Sequence, residues 1–523
     1  MANPYHPEPE PEAKRRKSSN SPFSGLHSTT VASSNAATPD LPAPTFDLEI
    51  WSGNYDGLLL PYRLAHIALR CTALRQQALS LAISTAKSGN DVQLYSRLCD
   101  TASQIDLPHL AVKDSEWMSK REEANRRELA RLESELRGYK NNLIRESIRM
   151  GQEDLAVYHL STGGPVPDPN NPATLPNSGL NAAYTAFNKM RDHANTPSHI
   201  AGMTLRQIFT GLLQAVQIVQ SGGAAVGYFT TISQNSYRLR TSGVKEEEQA
   251  KLTPVAGVVY SIAQLGLGNY KAAAEGFKSV PFEYSQLGPV HGHDFTRQVA
   301  SANDVAIYGG LTALATMSRE ELQTQVLSGS FRAFLELEPH MRKAISLYTT
   351  AKYQACLSTL RRYYSDWNLD IFLGGRAVSA IPESHVDRLL AKIREKSITA
   401  YFSSFSGVSL SSLADTFPPA AARSSEEAVA AMEVELLTLI QSGALHARLD
   451  VVNGLLVAPP AETRASAHEK ARQTAEEVER GLILRLGKVA AVVAGVDIKQ
   501  TAKQAGGGSW SVGGEGVGLP VAG

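Results

Sequence analysis

The chain is poor in cysteine, has no excess charge of either sign and contains no long apolar run, and each absence excludes a class of protein. Its three cysteines in 523 residues, Cys71, Cys99 and Cys356, stand far apart with no C-x-x-C pair. They supply neither a disulfide framework nor a thiolate zinc site, and they fit a reducing compartment. The 51 Lys and Arg balance 51 Asp and Glu, so no whole-chain field draws the protein to nucleic acid or to an anionic membrane. The most apolar stretch, 482–496, is interrupted by Arg485 and Lys488 and is shorter than the ~20 residues that span a bilayer. The opening residues, MANPYHPEPEPEAKRRK, lack the apolar centre of a secretory signal. These features lead to the expectation of a soluble intracellular protein with no membrane association. Hydrophobic residues make up 43% and charged residues 20%, which suits a chain that buries a large core. The length predicts two to four domains.

What is present is helical periodicity between two low-complexity ends. Residues 1–45 are rich in Pro, Ser, Thr, Asn and Ala, too few large apolar groups to offset the entropy of ordering, and are expected to be disordered. Within them Lys14, Arg15, Arg16 and Lys17 form a compact basic run, either a solvated cluster or a nuclear import signal. Residues 505–523 are Gly-rich and read as a flexible tail. Between the ends, apolar residues recur at three-to-four spacing over 58–86. Residues 120–137 form a charged helix with Glu122–Arg126, Glu123–Arg127 and Glu133–Arg137 at i,i+4. Each such pair contributes only about 0.2–0.5 kcal/mol, so this is a solvated face. An amphipathic segment over 139–160 carries Ile144, Ile148, Leu155 and Tyr158 on one side. A Pro/Asn/Gly loop at 162–178 follows, and helical patterns resume at 180–193, 203–220, 255–265 and 270–278. Short helices of this kind cannot each close a core, and the Ala-plus-aromatic texture around Tyr184, Phe187, Tyr270 and Phe277 predicts a tetratricopeptide-like helical-repeat solenoid.

The region 383–458 differs. Helical patterns at 383–402, 409–417 and 427–442 precede a Gly stop at Gly443. Leu445, Ala447, Leu449 and Val451 then alternate with His446, Arg448 and Asp450, and Asn453-Gly454 leads into Leu455-Leu456-Val457. Alternation, Asn-Gly and an apolar run predict a β-hairpin. Three helices closed by a two-stranded ribbon make a winged helix. A long helix over 462–503 ends the ordered chain, polar first and apolar later.

The stretches YDGLLLPYRLAHIA (55–68), YKNNLIRESIRMGQEDL (139–155), SANDVAIYGGLTALATMSREEL (301–322) and FLELEPHMRKAISLY (334–348) resemble the first-subunit family of the COP-nine signalosome. KYQACLSTL (352–360) and ALHARLD (444–450) extend the likeness, which covers roughly 46–500. The paralogous proteasome-lid subunit, with the same layout of helical repeats and a terminal PCI domain, is the alternative. SANDVAIYGGL and FLELEP are more similar to the signalosome branch. The resemblance implies a scaffold without catalytic residues or cofactors, in a complex that removes the ubiquitin-like modifier Nedd-eight from the cullins of cullin-RING ligases. The PCI winged helix would join a ring of such modules in sister subunits, and the last helix a shared helical bundle. Nucleus and cytoplasm are the implied compartments. The fold class is thus all-α with a small β-hairpin. A tail at 1–45 and a helical-repeat domain at 46–300 would precede a PCI domain at 301–460, with the winged helix at 383–458. A bundle helix at 461–504 and a tail at 505–523 would complete the chain. The loops 162–178 and 418–427 are longer than such a family is expected to need.

His291-x-His293, Ser301 and Asp304 reproduce the H-x-H-x7-S-x2-D spacing of JAMM zinc isopeptidases, in which two imidazoles and a carboxylate hold the metal. Here Asp294 replaces the expected Pro, no apolar strand precedes the histidines, and Ser301 with Asp304 reads as a helix start. The zinc reading is therefore set aside. His468-Glu469 lacks the second His of H-E-x-x-H, and no G-x-S-x-G occurs. Gly481 to Gly487-Lys488 departs from a P-loop in spacing and has Val489 where a hydroxyl is needed, so the two glycines are expected at a helix packing contact. The would-be recognition helix carries Glu426, Glu427, Glu433 and Glu435 with no Lys or Arg, and would repel phosphates. Partner contacts are expected instead at the hairpin, where His446 and Arg448 either pair with a neighbour or stay solvated, and on the last helix at Leu486, Val489 and Val493.

Overall fold

The structure, a computed structural model, describes residues 41–165, 179–375, 383–419, 424–459 and 464–494. The expectations for 1–40, for 495–523 and for the inner parts of the two long loops lie outside these residues. The chain forms two compact units, one up to Tyr401 and one from Phe402 onward.

The first unit is built of helices that pack on their neighbours in sequence. Its start corrects the expected tail boundary. Leu41 is buried and donates its N–H to the Arg70 carbonyl at 2.9 Å, and the Thr45 N–H and hydroxyl donate to Asp366 at 2.9 and 2.5 Å. Pro42 and Pro44 stiffen this stretch, which lowers the cost of ordering it. The apolar pattern over 58–86 divides into helices Leu60–Arg70 and Arg75–Ser88, because Cys71 takes an extended backbone. Residues 120–137 lie inside the helix Ser115–Asn141, which the Asp114 carboxylate caps. Glu123–Arg127 closes as expected, and Arg131 bridges Glu128 and Glu135. The segment 139–160 is not one helix. Leu143, at φ +54°, turns the chain before Arg145–Ser161, leaving Ile144 exposed and Ile148 buried.

Helices Leu180–Met190, Pro197–Gln220, Val226–Arg240, Glu246–Gly266 and Tyr270–Lys278 follow. The sequence reading misses Val226–Arg240, whose buried stripe includes Asn235 and Ser236 beside Phe229, Ile232 and Leu239. Two polar members hide its apolar period. Ser301 and Asp304 form the capping box that opens helix Ala302–Thr316, each side chain accepting the other residue's backbone N–H. That helix packs directly on Tyr270–Lys278, so the packing has no break at the expected boundary of 300/301. Its Gly309 is required by close approach, since a Cβ there would sit 2.4 Å from Phe331 Cζ. Helix His385–Phe402, read as the first of the winged helix, belongs by packing to the first unit. Val386, Leu389 and Ile393 are buried, and Lys396 Nζ donates to the carbonyls of Leu314, at 2.7 Å, and Met317.

The second unit holds helices Leu410–Thr416 and Ser425–Gln441 and a small antiparallel sheet. The strands are β1 Gly407–Ser409, β2 Arg448–Asp450 and β3 Leu455–Val457, in the order β1-β3-β2. The expected two-stranded ribbon therefore gains a third strand, too short at three residues to show alternation in sequence. Leu456 sits opposite both Val408 and Leu449 and is fully buried. Gly454 supplies the positive φ of the turn, and Asp450 accepts from the Asn453 backbone and amide at 3.1 and 2.7 Å. The last helix, Arg464–Val493, has its side chains in solvent almost throughout.

One ionic cluster ties distant parts of the first unit. Arg63 is 1% exposed and pairs with Asp370 at 3.1 Å. It also donates to the Val299 carbonyl and lies over the Tyr55 ring at 4.3 Å. Burial is the largest single influence and works to lower its pKa, but Tyr55, Asp370, Tyr308 and Asp304 together raise it, so the guanidinium stays charged. Removing one member of a buried pair strands the other, typically at 3–5 kcal/mol. Arg63→Met is expected to lower unfolding stability by about that amount, and Arg63→Met with Asp370→Asn to recover part of it, measured by urea denaturation. Two buried histidines add a pH dependence. Burial lowers His66 to about 3 and His385 to about 4. Both are neutral when folded, while the unfolded chain takes up protons below roughly pH 6.5. Their contribution is therefore complete above that pH and declines as pH falls toward 4. The urea midpoint should drop between pH 7 and pH 5, with a shallower slope in His385→Gln.

Candidate functional site

The metal-like spacing comes apart in three dimensions. His291 sits at φ +48° in a tight turn closed by Val290 and His293 backbone hydrogen bonds of 2.9 and 3.0 Å. Its Nε2 meets Glu248 Oε1 at 2.8 Å. His293 Nδ1 meets Gln298 Oε1 at 3.1 Å while its ring lies 4.9 Å from Phe209, and burial lowers its pKa. Asp304 accepts the Tyr55 hydroxyl on both oxygens at 2.8 Å besides capping its helix. Burial is the leading cause of its raised pKa, and Arg63 opposes it. Three side chains that zinc would need together thus have three separate sets of partners. Among the described residues no cluster of three His, Cys, Asp or Glu could hold a metal.

Apolar surface concentrates on the second unit. On the last helix Leu482, Leu486, Val489 and Val493 recur at spacings of four, three and four, the seam of a helix that packs on helices. They are 56%, 59%, 60% and 82% exposed. Gly481 and Gly487, expected at a packing contact, have nothing within 4 Å of an added Cβ, so no described part of this chain packs there. Burying that face would contribute on the order of 5–10 kcal/mol before association costs. In the winged-helix module, Met432, Leu436 and Leu439 turn inward while Val434 and Leu437 stay exposed on the same acidic helix. Val451 and Val452 are exposed at the hairpin tip. β3 is paired on both sides, so the sheet edges are β1 and β2. Of the two hairpin strands, β2 is therefore an edge and β3 is not. His446 and Arg448 are both exposed, beside and on β2. The basic run Lys14, Arg15, Arg16 and Lys17 lies outside the described residues.

The sequence reading overlooked a cleft of about 670 Å³ in the first unit. Tyr55, Asp304 and Tyr308 are buried among its lining, and Trp51, Glu338, Tyr363 and Asp366 are half-buried. Two signals pointed to it: a lone Arg63 inside the apolar run LLLPYRLAHIAL, and the aromatic cluster RRYYSDWN at 361–368.

Because His291, His293 and Asp304 are committed elsewhere, the purified chain is expected to hold no stoichiometric zinc by elemental analysis, and His293→Ala to leave the metal content unchanged. Near-equimolar zinc lost on that substitution would contradict the assignment.

The family described as 26S proteasome subunit RPN7 matches residues 114–165 and 178–325, and the PCI domain matches 360–460. COP9 signalosome complex subunit 1 of Emericella nidulans is 36% identical over 91% of this chain and 88% of its own length. The protein of that name from Neurospora crassa is 34% identical over 85% of this chain and 90% of its own. The Arabidopsis thaliana protein is 29% identical over 84% and 89%. The helical repeats, the small sheet and the coverage of nearly the whole chain lead to one assignment: the chain belongs to the COP9 signalosome complex subunit 1 family.

Proposed function

We propose that this chain is a non-catalytic scaffold subunit of a COP9 signalosome, supporting removal of Nedd-eight from cullins by another subunit. The observation that carries the reading is the apolar seam at Leu482, Leu486, Val489 and Val493, left in solvent on a helix of 30 residues. A monomer rarely exposes so continuous an apolar stripe, whereas a bundle of subunit helices would cover it. The open edge at β2 suits strand or side-chain contact with a sister PCI module, with Arg448 and His446 at its border. Cullin-RING ligases are then indirect partners, reached through the assembled complex, in nucleus and cytoplasm. The RPN7 match keeps the proteasome lid as the rival assembly, and the identity of co-purifying subunits decides between them.

Leu486→Asp with Val493→Asp places two charges in the seam, which a buried bundle cannot solvate. Both side chains are exposed in the free chain, so its melting temperature should stay unchanged. Recovery of sister subunits by affinity purification should fall at least several-fold, and cullins should accumulate in modified form. Undiminished co-purification would remove this helix from the assembly.

A further inference from the structure

The cleft in the first unit has the makings of a binding site that the scaffold role does not use. Along one part of its lining His340 stacks on Tyr363 at 4.0 Å, and Tyr363 on Trp367 at 6.1 Å. Along another, Trp51 packs between Phe46 and Tyr55 at 5.5 and 4.8 Å. Three carboxylates of the lining, Asp304, Glu338 and Asp366, have no Lys or Arg partner among the described residues, Asp370 being paired with Arg63 at 3.1 Å; the one Lys or Arg of the lining is Arg297. Arg297 is already paired with Asp56 at 3.1 Å. Two polar atoms of the lining are buried without a partner among the described residues, the Tyr308 hydroxyl and His340 Nε2. Tyr308 is 1% exposed, and an orphaned hydroxyl at that depth costs stability unless a ligand completes it. Aromatic faces beside carboxylates are the chemistry that holds a guanidinium or ammonium group. The same chain shows it nearby, with the Arg63 guanidinium over the Tyr55 ring.

We infer that this cleft is the docking site of the chain's own basic run, Lys14, Arg15, Arg16 and Lys17. Thr45 lines the cleft, held on Asp366, only four residues after Leu41, where the described chain begins. The 24 residues from Lys17 to Leu41 reach at most about 80 Å when extended and average roughly 27 Å as a flexible chain. A tether of that length gives an effective concentration near the millimolar range, so even a weak peptide site is well occupied. The charges complement: four consecutive cations meet a lining with surplus carboxylate. A run held there is withdrawn from any other receptor.

The test is zero-length carbodiimide cross-linking of the full chain at low concentration, read by mass spectrometry. Lys14 or Lys17 should join Glu338 or Asp366 within one chain, and 0.5 M NaCl should abolish the product. Cross-links scattered over many carboxylates, or formed only between chains, would overturn the proposal. A second measurement does not depend on cross-linking yield. A fluorescent peptide EAKRRKSSN, residues 12–20, is titrated onto the full chain with Lys14, Arg15, Arg16 and Lys17 all changed to Ala. It should bind several-fold more tightly there than to the unchanged chain, whose own run competes. Adding Glu338→Gln and Asp366→Asn should remove that binding with the circular dichroism spectrum intact. Equal affinity for the unchanged and alanine chains, or binding indifferent to the two carboxylates, would reject the site.

Discussion

Arg63 is a full positive charge in a helix whose other buried residues are uncharged, and the first unit is arranged so that this charge is never alone. An isolated ion transferred from water to a protein interior is prohibitively costly. Here the Asp370 carboxylate, the Val299 carbonyl and the Tyr55 ring surround it. Tyr55 in turn donates to Asp304, which caps the next helix. Segments near residues 55–63, 299–304 and 370 are thereby held in one register, although more than 300 positions separate the pair at its heart. Apolar burial supplies most of the attraction in such a unit, but it is non-directional. The ionic cluster adds direction, and with it the shape of the cleft that Tyr55 and Asp304 help to line.

The two units handle apolar surface in opposite ways. In the first, long helices such as Pro197–Gln220 and Glu246–Gly266 are buried over most of their length. In the second, Arg464–Val493 has no buried residue among those described, although its later half is as apolar as a core helix. A helix of this length gains little from propensity alone and depends on packing for lasting order. Its sequence is therefore written for a neighbour that the described residues do not provide. The acidic helix Ser425–Gln441 is the smaller version of the same situation, with Val434 and Leu437 outward.

Much of this was legible in the sequence, for physical reasons that also explain the failures. The capping box at Ser301 and Asp304, the Gly443 stop and the Asn453-Gly454 turn are local, and local chemistry reads directly. The exposed seam was readable because its spacing is periodic. Helix Val226–Arg240 escaped because Asn235 and Ser236 interrupt its buried stripe, and β1 because three residues carry no period. The Arg63 cluster and the cleft escaped for a different reason. Their members come from segments hundreds of residues apart, and no spacing rule links Tyr55, Arg63, Asp304 and Asp370. The near-match at His291, His293 and Asp304 is the converse case, a spacing whose three side chains share no partner.

The central claim is that the exposed seam of the last helix is covered by other subunits. Amide hydrogen exchange across residues 482–493 measures this most directly, in the isolated chain and in the assembled complex. Covering the seam should slow exchange there by orders of magnitude on assembly, while helices such as Pro197–Gln220, already buried within the first unit, change little. Exchange across 482–493 that is equally fast in both states would contradict the account.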